Sequence, residues 1–202
     1  MDKKEELLIS AHDIFAKKGY KGTNISDITK AINVATGSFY KHYVSKEDIF
    51  LEVYKCENTR IRQLVMEQVD WQMPIEIVVE SLFSVTSKHL FGNKIMAEWS
   101  NPKISKLLHA YYLSEQGKKD NQFHQFLTDV LNKKMKELKI KNRLASQLKR
   151  VYEFLYYIDC HITDSDFEGC SEVIRLLTLY FVKGIVSENT VLSTTHEKDF
   201  NK

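Results

Sequence analysis

The chain has 202 residues, 43% of them hydrophobic and 28% charged, with a formal net charge of +2. That composition supports a packed globular protein, and a near-neutral total neither requires nor excludes a nucleic-acid partner, because it averages over faces that can differ sharply. Two prolines and seven glycines leave little room for hairpins, while Leu, Lys, Glu, Ile and Phe recur at spacings of three and four, so the predicted fold is all-α.

Cys56, Cys160 and Cys170 are odd in number and form no CxxC pair. They argue against a disulfide framework or a zinc site and are expected as buried, reduced thiols. The opening MDKKEELLISAHDIF mixes acids and bases without the apolar stretch of a signal peptide, and no later run reaches the roughly 18 uncharged residues of a membrane span. A cytoplasmic protein is expected.

In chain order, residues 4–18 place Leu7, Leu8, Ala11, Ile14 and Phe15 on one helical face before Gly19 stops the first helix. Asn24 with Asp27 three residues on reads as a capping box that starts a second helix, carrying Ile25, Ile28 and Ile32 and ending near Asn33. VATGSFYKHYV then predicts a short third helix with Val34 and Phe39 inward and a polar outer edge. Ser45 with Asp48 starts a long fourth helix through Ile49, Phe50, Val53, Tyr54, Ile61 and Val65.

Pro74 opens a fifth helix that ends near Gly92. A sixth runs from near Pro102 to Leu113, EQGKKDN breaks the chain, and a seventh carries Phe123, Phe126, Leu127 and Val130 towards Leu138. The last two helices, 142–162 and 167–186, contain VYEFLYYI and VIRLLTLYFVKGIV, apolar around most of their circumference, so a second subunit is expected to cover what the core does not. About nine helices result. Residues from 187 onward are polar and weakly periodic and read as a tail.

The segment between the second and fourth helices carries the chemistry. From Ile28 to Lys46 there is no Asp or Glu, yet Lys30, Lys41, His42 and Lys46 are present, so the window is locally basic. Three short helices with such an exposed edge form a helix-turn-helix arrangement, whose second helix enters the DNA major groove. Gly37 and Ser38 permit close approach, Thr36 and Ser38 can hydrogen-bond bases, Tyr40 and His42 suit phosphate oxygens, and Lys41 can serve either surface. Lys46 stands at the N-terminus of the fourth helix, and Thr23 and Asn24 at that of the second, where free N–H groups favour a phosphate. Ile28, Val34, Phe39 and Ile49 are expected to lock these helices together.

The run TNISDITKAINVATGSFYKHYVSKEDI, beginning at Thr23, resembles the N-terminal DNA-binding domain of TetR-type transcriptional regulators. Their pattern is close to T-[ST]-x-x-[DE]-I-A-x-x-A-G-V-[SA]-x-G-[ST]-[LF]-Y-x-[HY]-[FY]-x-[SN]-K-[ED]-x-L, and the match covers about the first quarter of the chain. The resemblance puts Thr36, Ser38, Tyr40, Lys41 and His42 at operator-facing positions and Lys46 at a phosphate position. Asn33 stands where the family has Gly, a mild change because Asn tolerates left-handed backbone, and Ile32 replaces the usual Ala. The resemblance further implies a helix-turn-helix domain over 1–46, a helical effector-binding and dimerisation domain over 47–188 and a polar tail over 189–202. It also implies a homodimer joined through the last two helices, a pseudo-palindromic double-stranded operator with half-sites roughly 34–36 Å apart, and release by a small molecule.

Trp99, Tyr112, Phe126 and Tyr156 are the candidate effector contacts, since they fall on helices that line such cavities in the family, and an apolar or aromatic effector follows from that composition. Most aromatic residues are expected as plain packing. No HxxxH or HExxH pair suggests a metal and no nucleophile elbow or phosphate loop suggests an enzyme, so neither metal nor cofactor is expected. A DNA-binding regulator without an effector, constitutive or controlled by a partner, is the alternative.

Overall fold

A computed structural model describes residues 2–163 and 166–199, and their side chains except at 160 and 188–199. Its regular elements are helical: α1 (Lys3–Lys18), α2 (Ile25–Ala31), α3 (Thr36–Phe39), α4 (Lys46–Gln68), α5 (Ile75–Leu90), a 3₁₀ turn (Met96–Ser100), α6 (Pro102–Leu113), α7 (Glu115–Asp120), α8 (Gln122–Glu137), α9 (Asn142–His161) and α10 (Cys170–Asp199). The all-α prediction is met, with ten α-helices among the described residues where nine were expected. The addition is α7, which occupies the predicted break EQGKKD. The Ser114 Oγ accepts from the Gly117 N–H at 3.0 Å and so starts the helix. A Cβ on Gly117 would stand 2.1 Å from the Tyr111 carbonyl oxygen, so only glycine lets α7 turn this tightly off α6.

The start signals work through the orphan N–H groups of each first turn. Asn24 Oδ1 accepts from the Asp27 N–H at 2.8 Å while Asp27 Oδ2 accepts from the Asn24 N–H at 3.0 Å, completing the capping box of α2. Ser45 Oγ likewise accepts from the Asp48 N–H at 3.1 Å, but the Asp48 carboxylate reaches one residue further back, to the Val44 N–H at 3.0 Å. Asn101 caps α6 ahead of Pro102, and Asn121 caps α8. At the end of α2 the Val34 N–H donates to the Thr29 carbonyl and the Asn33 N–H to Lys30, with Asn33 at φ 55°. This is a Schellman turn, and its left-handed residue is the Asn that stands where the family has Gly.

The chain divides into two compact units. Met1–Met66 with Thr86–Gly117 form the first, and Glu67–Val85 with Lys118–Lys202 the second. In the first, Leu7, Phe15, Ile28, Phe39, Ile49 and Phe50 are fully buried in one cluster that also takes in Ile95, Ile104 and Leu108, with Ile32 and Val34 packed against it. The expected lock of Ile28, Val34, Phe39 and Ile49 is therefore present, and the 3₁₀ turn and α6 are part of the same core. Phe15, Tyr20 and Phe50 meet edge to face and stacked, with centroids 4.9–6.2 Å apart. In the second unit, Val79 of α5 is buried with Leu179 and Val182 of α10, and Trp71 meets Phe126 edge to face at 4.8 Å.

Cys170 is buried, but Cys56 is exposed, against the expectation of buried thiols; it falls on the outer side of α4, whose inward residues are Val53, Tyr54 and Glu57. No helix among the described residues is long and apolar enough to cross a membrane. The last helix, expected to end near 186, runs to Asp199 as α10, so residues 189–199 of the predicted polar tail are helical, and 200–202 lie outside the described residues.

Candidate nucleic-acid interface

The predicted reading edge is held out from a fixed base. α3 is a single turn anchored by Phe39, which is fully buried, and continued by hydrogen bonds from the His42 and Tyr43 N–H groups back to the Phe39 carbonyl. Tyr43 is buried on the same side, its hydroxyl donating to Glu52 at 2.9 Å. With Phe39 and Tyr43 inward, the residues between and before them face out. Thr36, Gly37, Tyr40 and Lys41 are exposed, and Ser38 and His42 are half-buried. Tyr40 is 58% exposed, its ring braced edge-on by Phe39 at 5.4 Å. A Cβ on Gly37 would meet nothing within 4 Å, so the backbone there is open to whatever approaches.

The carboxylates that flank this edge are already engaged. Asp27 caps α2 and lies 3.4 Å from Lys18 Nζ, and its pKa falls chiefly because it accepts from the Asn24 N–H. Asp48 holds the Val44 N–H. Glu47 accepts from Lys103 Nζ of α6 and, at 2.7 Å, from the Tyr20 hydroxyl. Those two donors, Lys103 first, bring its pKa down to about 2. Lys41, in contrast, has no ion-pair partner among the described residues. The edge is therefore net cationic even though acidic residues stand close in sequence.

Three predicted contacts sit differently from the rest. Thr23 is 2% exposed and donates its hydroxyl to the Gly19 carbonyl at 2.8 Å. Asn24 is exposed, but its side-chain oxygen and backbone N–H are both used by the capping box. Lys46 directs its Nζ to the carbonyl oxygens of Tyr20 and Thr23, each at 2.9 Å, and lies 4.1 Å from the centre of the Tyr20 ring. Burial pushes its pKa down. In this geometry all three fix the α1–α2 loop against the start of α4. Tyr20, Glu47 and Lys103, which complete that joint, gave no local sequence signal, because each finds its partner far along the chain.

The four candidate effector contacts do not form one group. Trp99 and Tyr112 come together in the first unit with ring centroids 6.4 Å apart; Trp99 stacks on Tyr54 and the Tyr112 hydroxyl accepts from Asn58 at 2.5 Å. In the second unit Phe126 packs on Trp71, and Tyr156 lies 4.0 Å from the His124 ring with its hydroxyl accepting from Asn121.

A short exposed helix, set across a left-handed turn from a capped partner and carried on a buried aromatic base, defines a helix-turn-helix protein. The family model described as bacterial regulatory proteins, tetR family, matches residues 4–53. The biofilm operon icaADBC HTH-type negative transcriptional regulator IcaR of Staphylococcus aureus is 33% identical over 63 residues, 31% of this chain and 34% of that protein. The IcaR of Staphylococcus epidermidis is 32% identical over 89 residues, 44% of this chain and 45% of that protein. The matched stretch thus spans between a third and a half of these curated relatives. The crystal structure of the transcriptional regulator FadR from Bacillus subtilis, in complex with stearoyl-CoA, superposes with a TM-score of 0.52 over 92% of this chain and 98% of that one, at 18% identity, a likeness of fold. Residues 4–53 thus match the N-terminal domain of the tetR family of bacterial regulatory proteins.

Proposed function

We propose that the protein is a cytoplasmic, homodimeric, sequence-specific DNA-binding regulator, not an enzyme, that represses transcription from a pseudo-palindromic operator and is released by a small molecule. The observation that carries it is the cationic edge of α3. Thr36, Gly37, Tyr40 and Lys41 are exposed in one turn above a fully buried Phe39, which is the chemistry and rigidity that groove insertion needs. Thr36 and Ser38 serve base edges, Tyr40 and His42 phosphates, and Lys41 either. Repression is supported by the curated relatives, which are named as negative regulators.

Dimerisation is assigned to the last two helices and effector binding to residues 47–188. Val173, Leu176, Leu177 and Tyr180 of α10, with Val151, Phe154 and Tyr157 of α9, leave large apolar side chains exposed. Helices of this composition need a second cover. A labelled duplex from the DNA flanking the protein's own gene, titrated by fluorescence anisotropy at increasing salt, tests the reading. Binding at least 100-fold tighter than to a scrambled duplex is expected from the roughly 10³ to 10⁷ range of specific regulators. Equal affinity for both duplexes refutes it.

A second reading, regulation without an apolar effector, is favoured by how the candidate aromatics are used. Trp99 and Tyr112 are engaged with Tyr54 and Asn58, and Phe126 and Tyr156 with Trp71, His124 and Asn121. A thermal-shift screen of apolar and aromatic compounds separates the two: stabilisation together with loss of operator binding supports release, and no stabilising compound supports partner control.

A further inference from the structure

The loop between α1 and α2 is fixed more firmly than an ordinary surface connection. The Gly19 N–H donates to the Phe15 carbonyl at 2.8 Å, with Gly19 at φ 72°, and the Thr23 hydroxyl donates back to the Gly19 carbonyl at 2.8 Å. The carbonyls of Tyr20 and Thr23 both accept from Lys46 Nζ at 2.9 Å, and the Tyr20 hydroxyl donates to Glu47 at 2.7 Å. A Cβ on Gly22 would stand 2.5 Å from the Lys18 carbonyl oxygen, so the loop folds directly onto the end of α1. Between the two carbonyls held by Lys46 lie Lys21 and Gly22, both exposed.

The neighbouring charges have counterparts. Asp27 lies 3.4 Å from Lys18 Nζ, and Glu47 accepts from Lys103. Glu98 accepts from the Asn101 carboxamide at 2.7 Å and also favours the charged form of Lys46. Lys17 and Lys18 stand in the last turn of α1, whose dipole they suit, and Lys94 Nζ donates to the Lys17 carbonyl at 2.6 Å. Lys21 lies beyond the end of α1 and has no ion pair or hydrogen bond among the described residues.

A solvated lysine on a loose loop is ordinary and calls for no explanation. Here the backbone that carries it is tied to both α1 and α4, so the base of the side chain is set before any partner arrives, which lowers the ordering cost of binding. The same ties place the loop against the first turn of α4, the helix that follows directly on the Tyr40, Lys41 and His42 edge. A single ammonium on a flexible stem is a point charge suited to a phosphate, without the planar fork that reads a base edge bidentately.

We propose that Lys21 contacts a phosphate of the bound duplex, and that it supplies at this corner the cation that Lys46, turned inward, does not. The proposal rests on the DNA-binding reading above and extends the contact surface from α3 to the α1–α2 loop. It gives Lys21 a part in affinity and in register, with none in the choice of sequence.

Fluorescence anisotropy of the full-length protein on the flanking-gene and scrambled duplexes, across a salt series, tests it in wild type, Lys21→Gln, Lys21→Arg and Lys149→Gln, the last removing the same charge from α9. Lys21→Gln is expected to weaken both duplexes by the same factor, roughly three- to tenfold for each bound head, and to lower the slope of log affinity against log salt by about 1 per head. Lys21→Arg should restore both, Lys149→Gln should change neither, and Lys21→Gln should melt with wild type. An unchanged slope in Lys21→Gln overturns the proposal while leaving the DNA-binding reading in place, provided wild type prefers its own duplex. An equal fall in Lys149→Gln overturns it in favour of overall charge. A loss confined to the flanking-gene duplex overturns it in favour of base reading, and a lowered melting temperature in Lys21→Gln in favour of loop support. Wild type with no preference between the duplexes refutes the DNA-binding reading, and this contact falls with it.

Discussion

The ammonium group of Lys46 lies 2.9 Å from the Tyr20 carbonyl oxygen and 4.1 Å from the centre of the Tyr20 ring. A second carbonyl, that of Thr23, takes another of its protons at 2.9 Å. A lysine expected to reach outward for phosphate instead bridges the α1–α2 loop to the first residue of α4. Lys46→Met keeps most of the stem and removes the bridge. It should destabilise the protein by about 1–2 kcal/mol, the scale of hydrogen bonds to a charged donor at a partly exposed site, as read from the urea midpoint. In a salt titration the clamp and the phosphate roles part company. Removing a phosphate contact lowers the salt slope by about 1, whereas loosening the head weakens binding with little change in slope.

Tyr40 and Lys41 project from α3 without supporting the core, so their removal should separate binding from stability. Tyr40→Ala and Lys41→Ala are expected to stay within about 0.5 kcal/mol of wild type in unfolding, as surface changes do. Lys41→Ala should cost roughly 1–3 kcal/mol of operator affinity if the ammonium reads a base, or a near-uniform loss across sequences with a slope smaller by about 1 if it meets a phosphate. Anisotropy on matched and scrambled duplexes distinguishes these outcomes. Operator affinity unchanged in both variants would remove α3 as the reading helix.

Asn33 holds the turn between α2 and α3 at φ 55°. A β-carbon in this region is disfavoured by roughly 1–2 kcal/mol, less for Asn, whose side chain can bond locally. Asn33→Gly is therefore expected to be neutral or slightly stabilising, and Asn33→Ala to lower stability by about 1 kcal/mol. Because the turn sets the direction of α3, Asn33→Ala should also weaken DNA binding more than its loss of stability explains. Thermal melting and anisotropy on the same samples give the comparison.

What the sequence conveyed was local. Caps at Asn24 and Ser45, the stop at Asn33 and the inward placing of Ile28 and Phe39 all follow from contacts within four or five residues or from one helical period. Ser114 and Gly117 are equally local, but the polar run EQGKKDN read as a break because a cap followed by a mandatory glycine resembles a loop. The joint of Tyr20, Glu47 and Lys103 was not legible. Glu47 and Lys103 are 56 residues apart and Tyr20 and Glu47 are 27 apart, and no spacing rule pairs them. The same joint explains why Thr23 and Lys46, chemically suited to phosphate, turn inward: a basic or hydroxyl side chain is equally suited to a backbone carbonyl, and only packing decides between them.

Glu57 ties α1, α4 and the segment before the 3₁₀ turn together. Its side chain, 4% exposed, accepts from Arg60 at 2.7 and 2.8 Å and from Asn93 at 2.7 Å, with His12 Nε2 at 3.1 Å. The Arg60 guanidinium is the main reason its pKa falls from 4.5 to about 2. A carboxylate whose folded pKa lies below its unfolded value adds stability that is fully present above about pH 4.5 and is lost as pH falls towards 2. Wild-type stability should drop across that window. Glu57→Gln should be less stable at neutral pH and show a flatter acid limb, by at most about 1.4 kcal/mol per pH unit. Urea unfolding at pH 3, 4, 5 and 7 measures it, and parallel curves would exclude Glu57 as the source.

Along α10, Ile174, Leu179 and Val182 are buried, whereas Val173, Leu177 and Tyr180, at spacings of four and three, are exposed by 39, 50 and 68%. α9 repeats the division, with Leu148 buried and Val151, Phe154 and Tyr157 exposed. Both helices therefore carry one face that the chain's own core uses and a second, apolar face that it leaves open. Burying apolar surface yields about 25 cal/mol per Å², and a stable isologous interface removes roughly 1,200–2,000 Å² in total, an area that two such helices from each subunit can supply. Leu177→Lys with Tyr180→Glu places charges on that open face without entering the core, so the monomer should remain folded by circular dichroism. Light scattering behind size exclusion should then report the mass of one chain for the variant and of two for wild type. Operator binding should fall by far more than the single-site variants of α3, because two half-sites no longer bind as one unit and the avidity of a linked pair, typically 10² to 10⁴, is lost. A variant that still runs at twice the chain mass would show that another surface joins the subunits.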